Sequence, residues 1–168
     1  MEIRVLDESH LVPYRTLRLH ALATEPEAFL HTPEDEVSAE EMRARLAGRT
    51  PRAEGFVLGA FAEDGELVGV AGVYREPTQK LRHKGHVWGM YVLPERRSRG
   101  LGGRLLDAAI ARAPELEGVT WLQLGVTANN PARALYEGRG FRAYGVEPEA
   151  IRVEGRTVDE VHMALRLA

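Results

Sequence analysis

The segment Met90–Leu106, which reads MYVLPERRSRGLGGRLL, joins a predicted strand to a predicted helix through a basic, glycine-rich turn. The first backbone amides of a helix have no acceptor inside the helix and lie at the positive end of its dipole. Three glycines let an anion approach this backbone, and Arg97 and Arg99 add positive charge; the glycines stand at 100, 102 and 103. The segment therefore predicts a phosphate or pyrophosphate site at the start of the helix.

Two other phosphate motifs do not fit this segment. A P-loop requires a lysine after its second glycine, and no lysine is present here. The dinucleotide fingerprint G-x-G-x-x-G, begun at Gly100, requires a glycine at the position of Leu105. A solvated basic turn, with glycines that serve tight packing, is the alternative to an anion site.

The sequence on either side of this segment predicts an α+β fold. Apolar spacing of three and four residues predicts helices over 8–22, 38–48, 100–113 and 130–139. Apolar and β-branched runs predict strands over 2–6, 56–62, 67–74, 86–93, 119–126, 141–146 and 160–167. Gly89, in the middle of a strand, predicts a β-bulge or a close backbone approach. The order of elements predicts a largely antiparallel sheet of about seven strands, with one parallel step across the helix at 100–113.

Composition excludes several classes of protein. A chain of 168 residues, 44% hydrophobic and 28% charged, fits one soluble globular domain over residues 1–168 and does not fit a disordered chain. The absence of cysteine excludes disulfides, thiolate nucleophiles and cysteine zinc sites. The pair His83 and His86 is too little for a zinc site, so no metal site is predicted.

Charge and hydropathy set expectations about partners and location. A formal net charge of -3 disfavours nucleic acid as a partner. No apolar run reaches the roughly 18 residues that a membrane span requires, so no membrane partner is expected. The amino-terminal MEIRVLDESH lacks the apolar stretch of a secretory signal. We therefore expect a cytoplasmic protein.

Two blocks of sequence together resemble a known family. The first is Arg97-x-x-Gly100-x-Gly102 after a strand that ends near Val92, and the second is Asn129-x-x-Ala132-x-x-Leu135-Tyr136 followed by Gly140-Phe141. Together they resemble the acyl-CoA signature and the later motif of the GCN5-related N-acetyltransferase (GNAT) family, over roughly residues 56–141. The resemblance implies one GNAT-like domain with helices on both faces of the sheet. It also implies a splayed parallel strand pair in which the pantetheine arm of acetyl-CoA bonds like a strand.

The resemblance also implies an activity and a set of site residues. The activity is transfer of an acetyl group from acetyl-CoA to a primary amine, by direct attack in a ternary complex. Backbone groups of Met90 and Val92 would hold the pantetheine arm, and Asn129 would contact the donor beside the thioester. Tyr136 would lie near the sulfur and act as general acid. The pyrophosphate would be wrapped by the turn residues Arg97, Ser98, Arg99, Gly100, Leu101, Gly102 and Gly103.

The general base and the acceptor are less well defined by the sequence. His86, eleven residues before Arg97, corresponds to the base position of some family members, but it also fits an ordinary sheet residue, and ordered water is a third possibility. By two-residue alternation, Trp88 and Met90 share the strand face of His86. Tyr136 also fits an aromatic residue at the edge of the core. An acidic cluster in the region of the first two helices fits either an acceptor-binding or a solvated surface; its members are Glu34, Asp35, Glu36, Glu40 and Glu41.

Several wider alternatives stay open. The acceptor is a small amine, an antibiotic, an amino acid or a protein N-terminus. A non-catalytic acyl-CoA-binding sensor or scaffold is the alternative function, because it needs the pyrophosphate turn but no general acid. A homodimer through the carboxy-terminal strands is a further expectation from the resemblance.

Overall fold

The computed structural model describes residues 1–48, 54–97 and 100–168 of the chain. Within these residues seven strands are formed: β1 (Glu2–Val5), β2 (Gly55–Phe61), β3 (Leu67–Arg75), β4 (Lys84–Val92), β5 (Trp121–Thr127), β6 (Arg142–Val153) and β7 (Arg156–Arg166). The same described ranges contain four α-helices: α1 (Leu11–Thr24), α2 (Ala39–Leu46), α3 (Leu101–Arg112) and α4 (Ala132–Glu137). The predicted helices and strands are present in the predicted order.

The strands form one sheet in the order β1-β2-β3-β4-β5-β7-β6. Neighbouring strands in the described sheet run antiparallel except β4 and β5, which are parallel. Helix α3 lies between these two strands in the chain, as a parallel crossover requires. The predicted α+β fold with a mixed, largely antiparallel sheet is therefore confirmed.

Apolar side chains form a core on each face of the sheet. One core packs under helix α3, around Leu105 and Leu106, which are fully buried. The other packs under α1, where the predicted stripe is buried; its members are Leu11, Tyr14, Leu17, Ala21 and Leu22. The fold thus has helices on both faces. Within the described residues, no helix has the length and apolar character needed to cross a membrane.

The parallel strands β4 and β5 pair only at their beginnings. Their register joins Lys84 to Trp121 and His86 to Gln123, and the strands then separate. The predicted bulge lies just beyond this point: Trp88 pairs with Gly72 and Tyr91 with Val70, so β4 has one residue more than β3 between these pairs. Gly89 has a φ of +60°, a conformation that glycine adopts without steric cost. The bulge increases the local bend of β4 exactly where the gap opens.

The carboxy-terminal hairpin is longer than the sequence predicted. Strands β6 and β7 span 142–153 and 156–166, whereas the predicted strands were 141–146 and 160–167. The turn consists of Glu154 and Gly155, both with positive φ, as a two-residue hairpin turn requires. The sequence did not predict that β6 continues beyond Pro148, because proline is typical of the end of a strand. The register shifts between Glu147 and Ile151, which accommodates Pro148 in an edge strand.

Candidate active site

A cavity of about 620 Å³ occupies the gap between β4 and β5. Phe29 and Trp88 line it on the side of helix α1, and Leu101, Leu135 and Tyr136 line it on the side of helix α3. The cavity therefore reaches both faces of the sheet. Two molecules that approach from opposite faces can meet inside it.

The start of helix α3 forms one end of this cavity. Gly100 precedes the helix with a φ of +72°, and Gly100, Leu101, Gly102 and Gly103 all line the cavity. A Cβ on Gly102 would lie 3.6 Å from Met90 Cε and 3.5 Å from Leu135 Cδ2, so a larger side chain there would fill the cavity. The amides of the first turn have no acceptor within the helix and suit an anion. Ser98 and Arg99, also predicted for this site, lie outside the described residues.

Gly103 lies close to a side chain from the segment after α4 as well as to the cavity. A Cβ at this position would overlap the guanidinium of Arg139, which is 2.7 Å from Asp107. A side chain here would therefore displace this guanidinium. At Gly102 a Cβ makes only ordinary contacts with Met90 and Leu135, and at Gly100 it meets nothing within 4 Å.

Arg97 lies at the cavity with three partners. Its Nε donates to the carbonyl of Val92 at 2.9 Å, and its Nη2 donates to Glu25 Oε1 at 2.7 Å. Its guanidinium carbon lies 5.4 Å from the centre of the Tyr91 ring. These contacts hold a positive charge between the end of β4 and the start of α3, next to the predicted phosphate site.

The backbone of β4 offers polar groups to the gap at Val92. The amide of Leu93 bonds to Val68 of β3 at 3.0 Å, so the backbone groups of the preceding residue, Val92, face away from β3. Met90 and Val92 both line the cavity. The carbonyl of Val92 already accepts from Arg97, which leaves its amide for a ligand.

Tyr136 extends from helix α4 into the same cavity. It is 7% exposed, and its hydroxyl donates to Met90 Sδ at 3.6 Å. Burial raises the pKa of Tyr136 to about 12. The phenol is therefore protonated at neutral pH and can act as a proton donor. The ring also packs edge-on against Phe141, with 6.0 Å between ring centres, so the residue belongs to the core as well.

Asn129 lines the cavity beside the start of α4. The predicted helix start is confirmed, because Asn130 Oδ1 accepts from the amide of Ala132 at 2.9 Å. The side chain of Asn129 donates to Glu27 Oε2 at 3.2 Å, and Arg156 donates to the other oxygen of Glu27 at 2.8 Å. Glu27 thus joins the segment after α1 to the far side of the cavity.

His86 lies outside the group of residues that line the cavity. Its Nε2 is 2.9 Å from Glu76 Oε1, and its ring stacks on Tyr74 with 5.0 Å between ring centres. It stands where β4 and β5 are still paired, before the gap opens. The structure therefore does not bring His86 together with Tyr136 and Arg97, and its role as a base stays a prediction.

The alternation predicted for β4 fails at the bulge. Trp88 packs against the core under α1, whereas Met90 packs against the core under α3. The additional residue at Gly89 moves Met90 to the other face, because the side-chain period of a strand is two. Trp88 and Met90 therefore form opposite walls of the cavity.

The predicted acidic cluster does not line the cavity. Its member Glu36 is buried against Arg18, with 2.6 Å between Oε2 and Nε. Burial alone would raise the pKa of Glu36, but the hydrogen bond and charge of Arg18, the amide of Val37 and the charge of Arg45 lower it overall. The carboxylates that line the cavity are instead those of Glu25 and Glu27, which the sequence analysis did not identify. Their sequence gives no signal, because glutamate in a loop is commonly solvated.

Comparisons with known proteins agree with this geometry. Residues 14–141 match the model of the family described as Acetyltransferase (GNAT) family. A ribosomal-protein-alanine N-acetyltransferase from Brucella melitensis is 28% identical, with a TM-score of 0.84 over 99% of this chain and 100% of that chain. None of the curated proteins matches the chain.

Two further solved structures show the same fold at lower identity. A GNAT-family acetyltransferase from Streptococcus pneumoniae is 23% identical, with a TM-score of 0.86 and 98% of each chain covered. The yncA protein from Salmonella typhimurium, solved with its cofactor acetyl-CoA, is 24% identical, with a TM-score of 0.86 over 100% of this chain and 94% of that chain. The family model covers most of the chain, including the cavity walls and both motif blocks, and the chain therefore belongs to the GNAT family of acetyltransferases.

Proposed function

We propose that this protein transfers an acetyl group from acetyl-CoA to a primary amine by direct attack in a ternary complex. The observation that carries the proposal is the cavity that opens to both faces of the sheet between β4 and β5. One of its ends has the free amides of helix α3 and the charge of Arg97, which suit the pyrophosphate of acetyl-CoA. The other end, beside Phe29 and Trp88, is left for the acceptor.

The residues of the cavity suit the donor. Gly102 leaves space against Met90 and Leu135, and the amide of Val92 provides a strand-like partner for the pantetheine arm. Asn129 lines the same cavity, and we propose that it contacts the donor beside the thioester. The relative from Salmonella typhimurium was solved with acetyl-CoA, which supports the same donor here.

Tyr136 is the proposed general acid. Acetyl-CoA supplies an activated acyl group, and the leaving thiolate needs a proton as the carbon–sulfur bond breaks. The Tyr136 hydroxyl can supply it, since it is protonated at neutral pH and lies beside Met90 in the cavity. The same burial that raises the pKa of the phenol also raises the pKa of a thiol held beside it, which limits the cost of the transfer.

Thermal unfolding with and without acetyl-CoA tests the donor site. At a hundred times Kd, a bound ligand adds about 2.7 kcal/mol of stability, which raises Tm by roughly 5–10 °C for a domain of this size. No shift at millimolar acetyl-CoA would contradict the proposal.

Thiol release tests turnover. We would incubate the protein and acetyl-CoA with spermidine, single amino acids, an aminoglycoside and a peptide with a free amino-terminal alanine. The last acceptor follows the name of the Brucella melitensis relative. Release of free thiol above the rate without protein identifies the acceptor class. A thermal shift without release for any primary amine would favour an acyl-CoA-binding sensor over an enzyme.

A further inference from the structure

We propose that Glu160 is a further catalytic residue, which removes the proton of the acceptor ammonium before the nitrogen attacks. The inference rests on the proposed function, because it assigns a residue to the acceptor side of the same cavity. Neither the sequence motifs nor the family match gives Glu160 a role.

The carboxylate of Glu160 lies against the wall of the cavity. A Cβ on Gly125 of β5 would fall 2.8 Å from Glu160 Oε2 and nearer still to the other carboxylate oxygen. Gly125 lines the cavity. Since glycine has no side chain, the carboxylate packs directly on this cavity-lining residue. A glycine at this position is what allows an acidic side chain to lie there.

Glu160 is on the acceptor side of the sheet. Val161 and Met163 of β7 are buried in the core under α3, so Glu160 and His162 point to the opposite face. Gly125 faces the same way, because Leu124 and Val126 also belong to the core under α3. The anion site at the start of α3 directs the acetyl donor to one face, and the acceptor must therefore arrive from the face that carries Glu160.

The surroundings of Glu160 favour a carboxylate that binds protons readily. Its side chain is 13% exposed, and burial raises its pKa, an effect that the charge of His162 opposes and that of Glu147 reinforces. His162 Nδ1 lies 3.9 Å from Glu160 Oε2, and His162 Nε2 lies 3.3 Å from Glu147 Oε2. A base with a raised pKa takes a proton from an ammonium more effectively than a solvated carboxylate does.

The reaction then balances as follows. Glu160 accepts one proton from the ammonium, and the freed lone pair of nitrogen forms a bond to the thioester carbonyl carbon. The carbon–sulfur bond breaks, sulfur keeps its electron pair, and the Tyr136 hydroxyl gives that sulfur a proton. The second proton of the nitrogen leaves as the amide forms and restores the Tyr136 hydroxyl. Glu160 releases its proton to water, so that one proton per turnover reaches the solvent.

Two acceptors with different charge test the role of Glu160. The first is the best alkylamine of the acceptor panel, which is cationic at pH 7 and needs a base. The second is hydroxylamine, which is small and largely uncharged at pH 7 and therefore needs no base. We expect Glu160→Gln to lower kcat with the alkylamine by about 100-fold or more, the lower end of general-base contributions. With hydroxylamine, the variant and the wild-type protein should differ by less than about threefold.

Matched variants separate this role from a structural one. Glu154→Gln removes the same charge from an exposed position of the hairpin turn and should leave both rates unchanged. Gly125→Ala should reproduce the selective loss, because its methyl group displaces the carboxylate without removing it. The thermal shift with acetyl-CoA should be the same in Glu160→Gln as in the wild-type protein, since the donor site is unchanged.

The outcomes distinguish the two proposals. Equal loss with both amines, or no loss with the alkylamine, would overturn the role of Glu160 while leaving the acetyltransferase in place. The side chains of Glu147, Glu160 and His162 offer ligand atoms within 4.8 Å of one another, so activity that is lost to EDTA and restored by zinc would identify a metal site and would also overturn the role of Glu160 as base. No thiol release above the rate without protein, with hydroxylamine or any primary amine, would overturn the proposed function itself, and the inference with it.

Discussion

The carboxylate of Glu25 lies 2.7 Å from the guanidinium of Arg97, so the segment after helix α1 neutralises the cation beside the start of helix α3. The same segment carries Glu27, which bonds to Asn129 and Arg156. The side chains of Arg97 and Asn129, which the sequence predicts to contact the acetyl donor, are thus each bonded to a carboxylate. A negatively charged donor has to compete with Glu25 for Arg97.

We expect Glu25→Gln to tighten the binding of acetyl-CoA. The ion pair is partly exposed, with side-chain exposures of 43% for Arg97 and 35% for Glu25, so its loss is worth about 0.2–1 kcal/mol. The corresponding gain in affinity is about 1.4-fold to fivefold, measurable by isothermal titration at low salt. Glu115→Gln removes an equivalent charge from a pair with Arg112 and serves as control. Weaker binding of acetyl-CoA by Glu25→Gln would show that the contact assists the donor.

Filling the cavity at Gly102 should abolish donor binding without unfolding the protein. We expect Gly102→Leu to lose the thermal shift with acetyl-CoA, because its side chain extends from a tolerated Cβ position into the space beside Met90 and Leu135. Gly145→Leu adds the same side chain to strand β6, where nothing lies within 4 Å of a Cβ. A thermal shift with acetyl-CoA that persists in Gly102→Leu would show that the donor binds at another site.

Removal of the Tyr136 hydroxyl should affect turnover and spare binding. Tyr136→Phe keeps the ring against Phe141 and removes only the hydroxyl, which donates a long hydrogen bond to Met90 Sδ. General acid catalysis contributes about 10²–10⁴-fold, so kcat should fall by at least about 100-fold with an unchanged Kd for acetyl-CoA. Steady-state thiol release and thermal titration measure the two quantities. Equal kcat values would remove Tyr136 from the mechanism.

The buried pair of Arg18 and Glu36 should make stability depend on pH. Glu36→Gln leaves the Arg18 charge buried without its partner, which costs about 3–5 kcal/mol of unfolding free energy at neutral pH. The folded-state pKa of Glu36 is lowered, so the pair stabilises the fold above the unfolded pKa of about 4.3 and loses this effect as pH falls further. Urea unfolding between pH 7 and pH 3 should therefore show the two proteins converging at acid pH.

Glu34→Gln is the control for the buried pair, because Glu34 is exposed on the same segment. Its unfolding midpoint should follow the wild-type protein throughout the pH range. A constant difference between Glu36→Gln and the wild-type protein down to pH 3 would contradict the assignment, since it would mean that the charge of Glu36 contributes nothing.

Local sequence predicted the features that depend on local geometry. The helix start after Gly100, the cap at Asn130 and the bulge at Gly89 each follow from the preferences of one or two residues, and all three are present. The two motif blocks predicted the fold and the walls of the cavity because they mark both strands of the splayed pair.

The contacts that depend on the folded sheet were not predictable in this way. Glu25 meets Arg97 across 72 residues, and Glu160 meets Gly125 across 35, so both pairs depend on strand order and register. The alternation rule failed at Met90 because it assumes that no residue is inserted in the strand. These long-range contacts bring Glu25 and Glu160 to the cavity region, which is why the local sequence identified neither residue.

The separation of β4 and β5 after three paired residues has a consequence for how tightly a donor can bind. Each strand is held on its far side, β4 by β3 and β5 by β7, and both contribute side chains to the core under α3. The gap between β4 and β5 is therefore kept open because each strand is fixed by its other neighbour. The two strands cannot close on each other without disturbing the pairing of β4 with β3 and of β5 with β7. Because the edges of the gap are ordered when the chain folds, the entropic cost of arranging them falls on folding rather than on each turnover. Such a preorganised gap should accept a flexible donor with little movement of its own walls.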